Sequence, residues 1–109
     1  MITHFGSVGF ENGSYLRVSG SGDWEVEPIA GFDPPVKLPL GQVRIRFGAP
    51  IPSPYTVLVT AARQANTPMM AANYGDATVD GFVVHLWETI ADRTLQNGGF
   101  SFLVLETNG

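Results

Sequence analysis

Residues 42–47 read Gln-Val-Arg-Ile-Arg-Phe, and they alternate strictly. Val43, Ile45 and Phe47 fall on one side, and Gln42, Arg44 and Arg46 on the other. A period of two is the signature of a β-strand with one dry face and one wet face. Later runs break that rule in an informative way. In Tyr55–Ala62, the residues Tyr55, Val57, Val59 and Ala61 oppose Thr56, Leu58 and Thr60. In the run from Gly81, the residues Phe82, Val84 and Leu86 oppose Val83, His85 and Trp87. In the run from Gly99, the residues Phe100, Phe102 and Val104 oppose Ser101, Leu103 and Leu105. A strand packed on one side only should alternate, so three strands with apolar residues on both faces call for a second burial surface. In a domain this small the simplest such surface is another copy of the chain.

The pattern predicts strands at Tyr15–Val18, Trp24–Pro28, Gln42–Phe47, Tyr55–Ala62, Met69–Tyr74, Gly81–Thr89 and Gly99–Glu106. No amphipathic helix competes with them. The best helical candidate, residues 88–97, has only Ile90 and Leu95 as sizeable apolar side chains and runs into Gly98-Gly99, so it reads as a polar loop. Short Val-, Ile-, Phe- and Thr-rich runs punctuated by 13 Gly and 8 Pro describe an all-β protein, a small antiparallel sandwich. Pro50, Pro52 and Pro54 stand at alternate positions between two of the strands. They cannot donate ladder hydrogen bonds, so they hold the chain extended while it crosses to a new strand position.

The first 40 residues are looser. They read as a hairpin followed by a Pro- and Gly-rich arm, with residues 41–109 as the core of one compact domain. Pro34, Pro35 and Pro39 oppose regular ladder pairing there. Phe32, Pro34, Pro35 and Leu38 are the candidate contacts of a docking arm. His4 falls in what reads as a mobile terminus.

Composition narrows the function. At 109 residues the chain suits a single domain. Charged residues make up 15%, well under the usual value of about 25%, which fits a surface partly covered by partners. A net charge of −4 with six basic residues opposes nucleic-acid binding, which needs clustered Lys or Arg. Without cysteine there is no disulfide framework and no thiolate metal site or nucleophile. The opening MITHFGSVGF lacks the basic and apolar regions of a signal peptide, and no stretch approaches the roughly 18 apolar residues of a membrane span. If Met1 is the native start, a whole small protein is expected, with no membrane insertion.

The chemistry-bearing residues do not assemble into a catalytic set. Asp76 and Asp80 flank an expected turn, where Asp and Gly serve turn geometry. Glu25 and Glu27 share a strand face turned to water. His4 and His85 are the only histidines, and neither forms a zinc-binding spacing. The segment GSYLRVSGSG lacks the Lys and the strand-to-helix setting of a phosphate loop. Enzymatic activity, metal and cofactor are therefore not expected. Trp24, Trp87, Tyr15, Tyr55 and Tyr74 offer flat faces suited either to the core or to stacking on sugar rings. Tyr74, Asp76 and Trp87 are the candidate ligand contacts. Leu58, Val83, His85, Trp87, Leu103 and Leu105 are the candidate oligomer interface.

The order of motifs VRIRFGAPIPSPYTVLVTAA, DGFVVHLWET and GGFSFLVLE resembles the H-type lectin fold and the C-terminal knob domains of bacteriophage tail fibres. The resemblance covers roughly residues 40–106. It implies an antiparallel β-sandwich that forms homotrimers, with one sheet of each copy around the three-fold axis. It also implies a virion structural protein, made in the host cytoplasm and acting in attachment to host-surface glycans. The lectins' sugar-binding residues have no matching positions here, so no glycan site is carried over. Two alternatives stand beside this expectation: a decoration protein contacting only other capsid or tail proteins, and a soluble H-type lectin.

Overall fold

A computed structural model of the chain describes residues 2–12, 14–28, 41–52, 55–62, 70–88 and 98–106. The described strands are β1 (Ile2–Glu11), β2 (Ser14–Ser21), β3 (Trp24–Pro28), β4 (Gln42–Phe47), β5 (Tyr55–Ala61), β6 (Met70–Thr78), β7 (Gly81–Glu88) and β8 (Phe100–Glu106). They form two four-stranded antiparallel sheets. Sheet I has the order β2-β1-β8-β5, and sheet II the order β3-β4-β7-β6.

The alternation seen in the sequence builds the layer between them. Val43, Ile45 and Phe47 of β4 and Phe82, Val84 and Leu86 of β7 face Val57 of β5 and Phe100, Phe102 and Val104 of β8. Phe82, Phe100, Ile45, Leu86, Val43, Val84 and Val104 are fully buried. Burying each such side chain contributes about 1.5–3 kcal/mol. Phe82 joins the sheets at the centre, 5.5 Å from Phe102 and 5.9 Å from Phe47 between ring centroids.

The elbow after β4 does what its prolines require. β4 belongs to sheet II and β5 to sheet I, so the chain changes layer there. Pro50 and Pro52 are exposed, while Ile51 between them is buried and its N–H donates to the Val79 carbonyl at 2.8 Å. Pro54 lies outside the described residues.

The amino-terminal region departs from expectation. β1 is an inner strand of sheet I, paired with β2 on one side and β8 on the other. His4 is therefore not in a loose terminus: it sits in β1, with its ring 5.0 Å from that of Phe47 in the opposite sheet. Strands from both sides of residue 40 contribute to each sheet. The arm residues Phe32, Pro34, Pro35 and Leu38 lie outside the described residues.

β6 also extends further than its sequence suggests. Tyr74 and Asp76 are within the strand rather than in an exposed turn, and the tight connection to β7 falls at Val79-Asp80. Asp76 has φ of 51° and occupies an irregularity between the pairs Gly75–Val83 and Thr78–Gly81. Asp tolerates that left-handed backbone, so the turn chemistry of the sequence is used here in a β-bulge.

Candidate functional site

Two surfaces of the sandwich stand out, one on each outward face. The first lies on sheet II. β3 and β4 pair so that Glu25 is opposite Arg46 and Glu27 opposite Arg44. The strings Glu-x-Glu and Arg-x-Arg, each on the wet face of its strand, therefore meet as a cross-strand charge ladder. Arg46 bonds diagonally to Glu27, at 3.5 Å, and both side chains remain well exposed. Arg44 forms no ion pair among the described residues.

Beside this ladder, the β6 bulge and the β6–β7 turn bring in Asp76, Thr78 and Asp80. Together with Glu27, Arg44, Arg46 and Gly81 they line an open cleft of about 400 Å³. Gly81, at φ 155°, is what allows the turn to lie so close: a Cβ there would collide with the Ile45 carbonyl. The cleft offers two guanidinium groups, three carboxylates and one hydroxyl. These groups hydrogen-bond a polar ligand in both senses, donating from Arg and accepting at Asp and Glu. Among the described residues no group of His, Cys, Asp and Glu is arranged to hold a metal ion.

The second surface is the outward face of sheet I. Register places Phe5 opposite Leu103 and Leu103 opposite Leu58, a continuous apolar row across β1, β8 and β5. The irregularity at Thr3 brings Ile2 opposite Leu105, on the same face. Phe5, Leu58 and Ile2 are 48%, 54% and 52% exposed, whereas Leu103 and Leu105 are half-buried. Ser7 and Ser101 frame the row on one side, their hydroxyls 3.0 Å apart.

The sequence-derived candidates distribute unevenly over these surfaces. Of the six interface candidates, Leu58, Leu103 and Leu105 share the sheet I face, while Val83, His85 and Trp87 lie on the outward face of sheet II. The two groups thus point in opposite directions. Val83 is already buried within the chain, and His85 and Trp87 are half-buried. Of the ligand candidates, only Asp76 lines the charged cleft. Tyr74 shares the inward side of β6 with its partner Val84 and packs edge-on to Phe82, 6.1 Å away, whereas Trp87 is on the other side of the same sheet. The three do not converge. Trp24, Tyr15 and Tyr55 are interior: Trp24 packs on Phe102 at 4.8 Å, Tyr15 on Phe100 at 6.5 Å and Tyr55 on Phe47 at 5.5 Å.

Sequence reasoning missed Phe5, Ile2, Arg44 and Asp80 as site residues. For Phe5 and Ile2 the available signal was Asn12-Gly13, a pair strongly favoured in two-residue hairpin turns, which would have marked a strand on its amino-terminal side. Asn12 indeed has φ of 52°, between the paired residues Glu11 and Ser14. For Arg44 the signal was the pairing of two alternating charge strings of opposite sign.

The environment of the titratable groups near the sheet interface is that of a packed structure. Burial lowers the His4 pKa, with Glu106 and Asp23 opposing that shift. Burial raises those of Tyr15 and Tyr55, each partly offset by a backbone hydrogen bond. No family model matches this chain, and neither the curated proteins nor the solved structures compared with it yield a match.

Proposed function

We propose that this chain is a non-enzymatic structural protein of a phage or phage-like particle, a β-sandwich knob that acts in attachment to a hydroxyl-rich host surface. The observation that carries the reading is the charged cleft, where Arg44, Arg46, Glu27, Asp76 and Asp80 converge with Thr78 on one open hollow. Its groups supply directional hydrogen bonds without the base-and-nucleophile pairing that covalent catalysis needs. An open, hydrophilic hollow on a stiff two-sheet scaffold suits recognition of a polyhydroxylated ligand such as a surface glycan. The setting on a particle follows from the resemblance of the strand order to tail-fibre knobs.

The test is binding of the labelled full-length chain to a glycan array and to whole bacterial cells, with Arg44→Ala and Asp76→Asn beside the unsubstituted chain. Both substitutions change exposed side chains, and Asn tolerates the left-handed backbone at residue 76, so each should leave the fold within about 1 kcal/mol of the parent. The reading predicts saturable binding by the parent and at least tenfold weaker binding by each variant. Absence of binding by the parent, or binding indifferent to both substitutions, would overturn it. The decoration reading would then take its place, supported by the apolar outward face of sheet I.

A further inference from the structure

The cleft on sheet II has two walls of opposite sign. Arg44 and Arg46 stand on β4, while Asp76, Thr78 and Asp80 stand on β6 and the β6–β7 turn. β7 runs between them, so the walls are two strand spacings apart, about 9.5 Å from backbone to backbone. Register shows what lies between. Gly81 separates Arg46 from Thr78, and Val83 separates Arg44 from Gly75. Gly81 has no side chain and Val83 is already buried, so the floor between the walls carries no polar side chain. Beyond it, a Cβ added to Gly75 would meet nothing within 4 Å, so the hollow stays open toward β6.

The charges on these walls are not matched within the chain. Arg46 pairs with Glu27 on its own side of the cleft, and among the described residues no ion pair crosses β7. Arg44, Asp76 and Asp80 are exposed and make no ion pair among those residues. With the Arg46–Glu27 pair set aside, one guanidinium on the first wall faces two carboxylates on the second. Such a cleft discriminates by charge. An anion that reaches Arg44 meets Asp76 and Asp80 across the floor, and a cation drawn to those carboxylates meets the guanidinium groups. A neutral sugar offers neither wall a charged partner. A ligand with an anionic group at one end and an ammonium at the other matches both walls at once.

We infer that the cleft takes a zwitterionic saccharide unit, one whose phosphate or carboxylate lies against Arg44 and whose ammonium faces Asp76 and Asp80. The sugar ring spans the Gly81 floor, with the Thr78 hydroxyl beside it. The inference rests on the attachment reading for the saccharide class. It goes beyond that reading in assigning two charges to the ligand and a wall to each. Because the cleft is open and its contacts are charge-assisted, binding weakens as salt is raised.

Four probes built on one ring separate the two charges. Glucosamine-6-phosphate carries both, with amine and phosphate across the ring from each other. Glucosamine and glucose-6-phosphate carry one each, and glucose carries neither. Calorimetric or NMR titration of the full-length chain, at mildly acidic pH where the amine is protonated, should show glucosamine-6-phosphate binding at least tenfold tighter than any of the other three. Arg44→Ala should reduce its affinity to that of glucosamine. An Asp76→Asn, Asp80→Asn double variant should reduce it to that of glucose-6-phosphate, with circular dichroism showing both variants folded. Equal binding of all four probes, or binding that depends on only one charge, would overturn the inference and leave the attachment reading standing. A preference for the doubly charged probe that survives both variants, or no binding by any probe, would overturn it as well. Failure of the attachment reading is a separate result: no binding to the glycan array or to cells, whatever the four probes do.

Discussion

The indole N–H of Trp24 in sheet II donates to the main-chain carbonyl of Phe5 in sheet I, 3.1 Å away, while the Phe5 side chain points outward from the same residue. The Ser21 carbonyl lies equally close, and the Arg17 guanidinium covers the ring at 4.2 Å. Trp24 thus ties the interior to the strand that carries the apolar face. Replacing it with Phe removes the donor and leaves two carbonyls without it. The expected loss is about 1–3 kcal/mol, measured as a fall in the urea midpoint with little change in the slope.

Trp24 can occupy its place only because Gly6 and Gly20 pair across β1 and β2 beneath it. A Cβ on Gly20 would collide with the Phe5 carbonyl and the Gly6 backbone, at a φ of 144° that side chains rarely adopt. Gly20→Ala should therefore destabilise by about 1–3 kcal/mol through overpacking and backbone strain. Denaturation of this variant should resemble that of the Trp24 variant, because both act on one contact.

A second tie spans the sheets at the opposite lateral edge of the layer, where β5 and β6 are the edge strands. The Tyr55 hydroxyl on β5 donates to the Thr78 carbonyl at 2.6 Å, with the Gly81 carbonyl 3.0 Å away. Burial raises the pKa of this phenol and that of Tyr15 in the folded chain. As pH rises past about 10, the unfolded chain loses its phenol protons first. The stabilisation is thus complete below that pH and lost as pH climbs through the folded-state values. Tyr55→Phe should cost about 1 kcal/mol at neutral pH and should flatten the alkaline fall in stability. His4 acts in the other direction: its lowered pKa favours the neutral ring in the fold, so its contribution is present above about pH 6.5 and fades on acidification.

The sequence carried the sandwich because its dry faces alternate cleanly. The bounds of β3 and β4 agree with the structure, β5 and β8 differ by a residue at one end, and the expected last residue of β7, Thr89, lies outside the described residues. β1 was illegible for a physical reason. Its inward positions include Gly6, whose missing side chain is replaced in space by the indole of Trp24, eighteen residues away. A strand that borrows its core contact shows no apolar alternation of its own. Losing β1 also hid Phe5 and Ile2, and so left Leu58 and Leu103 without the rest of their row. β6 was truncated because Asn73-Tyr74-Gly75-Asp76 has turn chemistry, which the fold spends on a bulge. Arg44, Asp76 and Asp80 come from separate strands and a turn, so their meeting depends on non-local register that no local pattern encodes.

The doubly apolar strands of the sequence call for a second burial surface, and the exposed row from Phe5 through Leu103 to Leu58 is where sheet I offers one to another copy of the chain. Leu58 is 54% exposed on a face away from the core, so Leu58→Asp should fold normally. It would bury an unpaired carboxylate against apolar side chains, which costs its desolvation with no partner to offset it. Multi-angle light scattering of the parent and of Leu58→Asp at micromolar concentration tests the claim most directly. The account predicts a multiple of the single-chain mass for the parent and the mass of one chain for the variant. A parent that elutes as a single chain, or a variant that keeps the parent's mass, would contradict it.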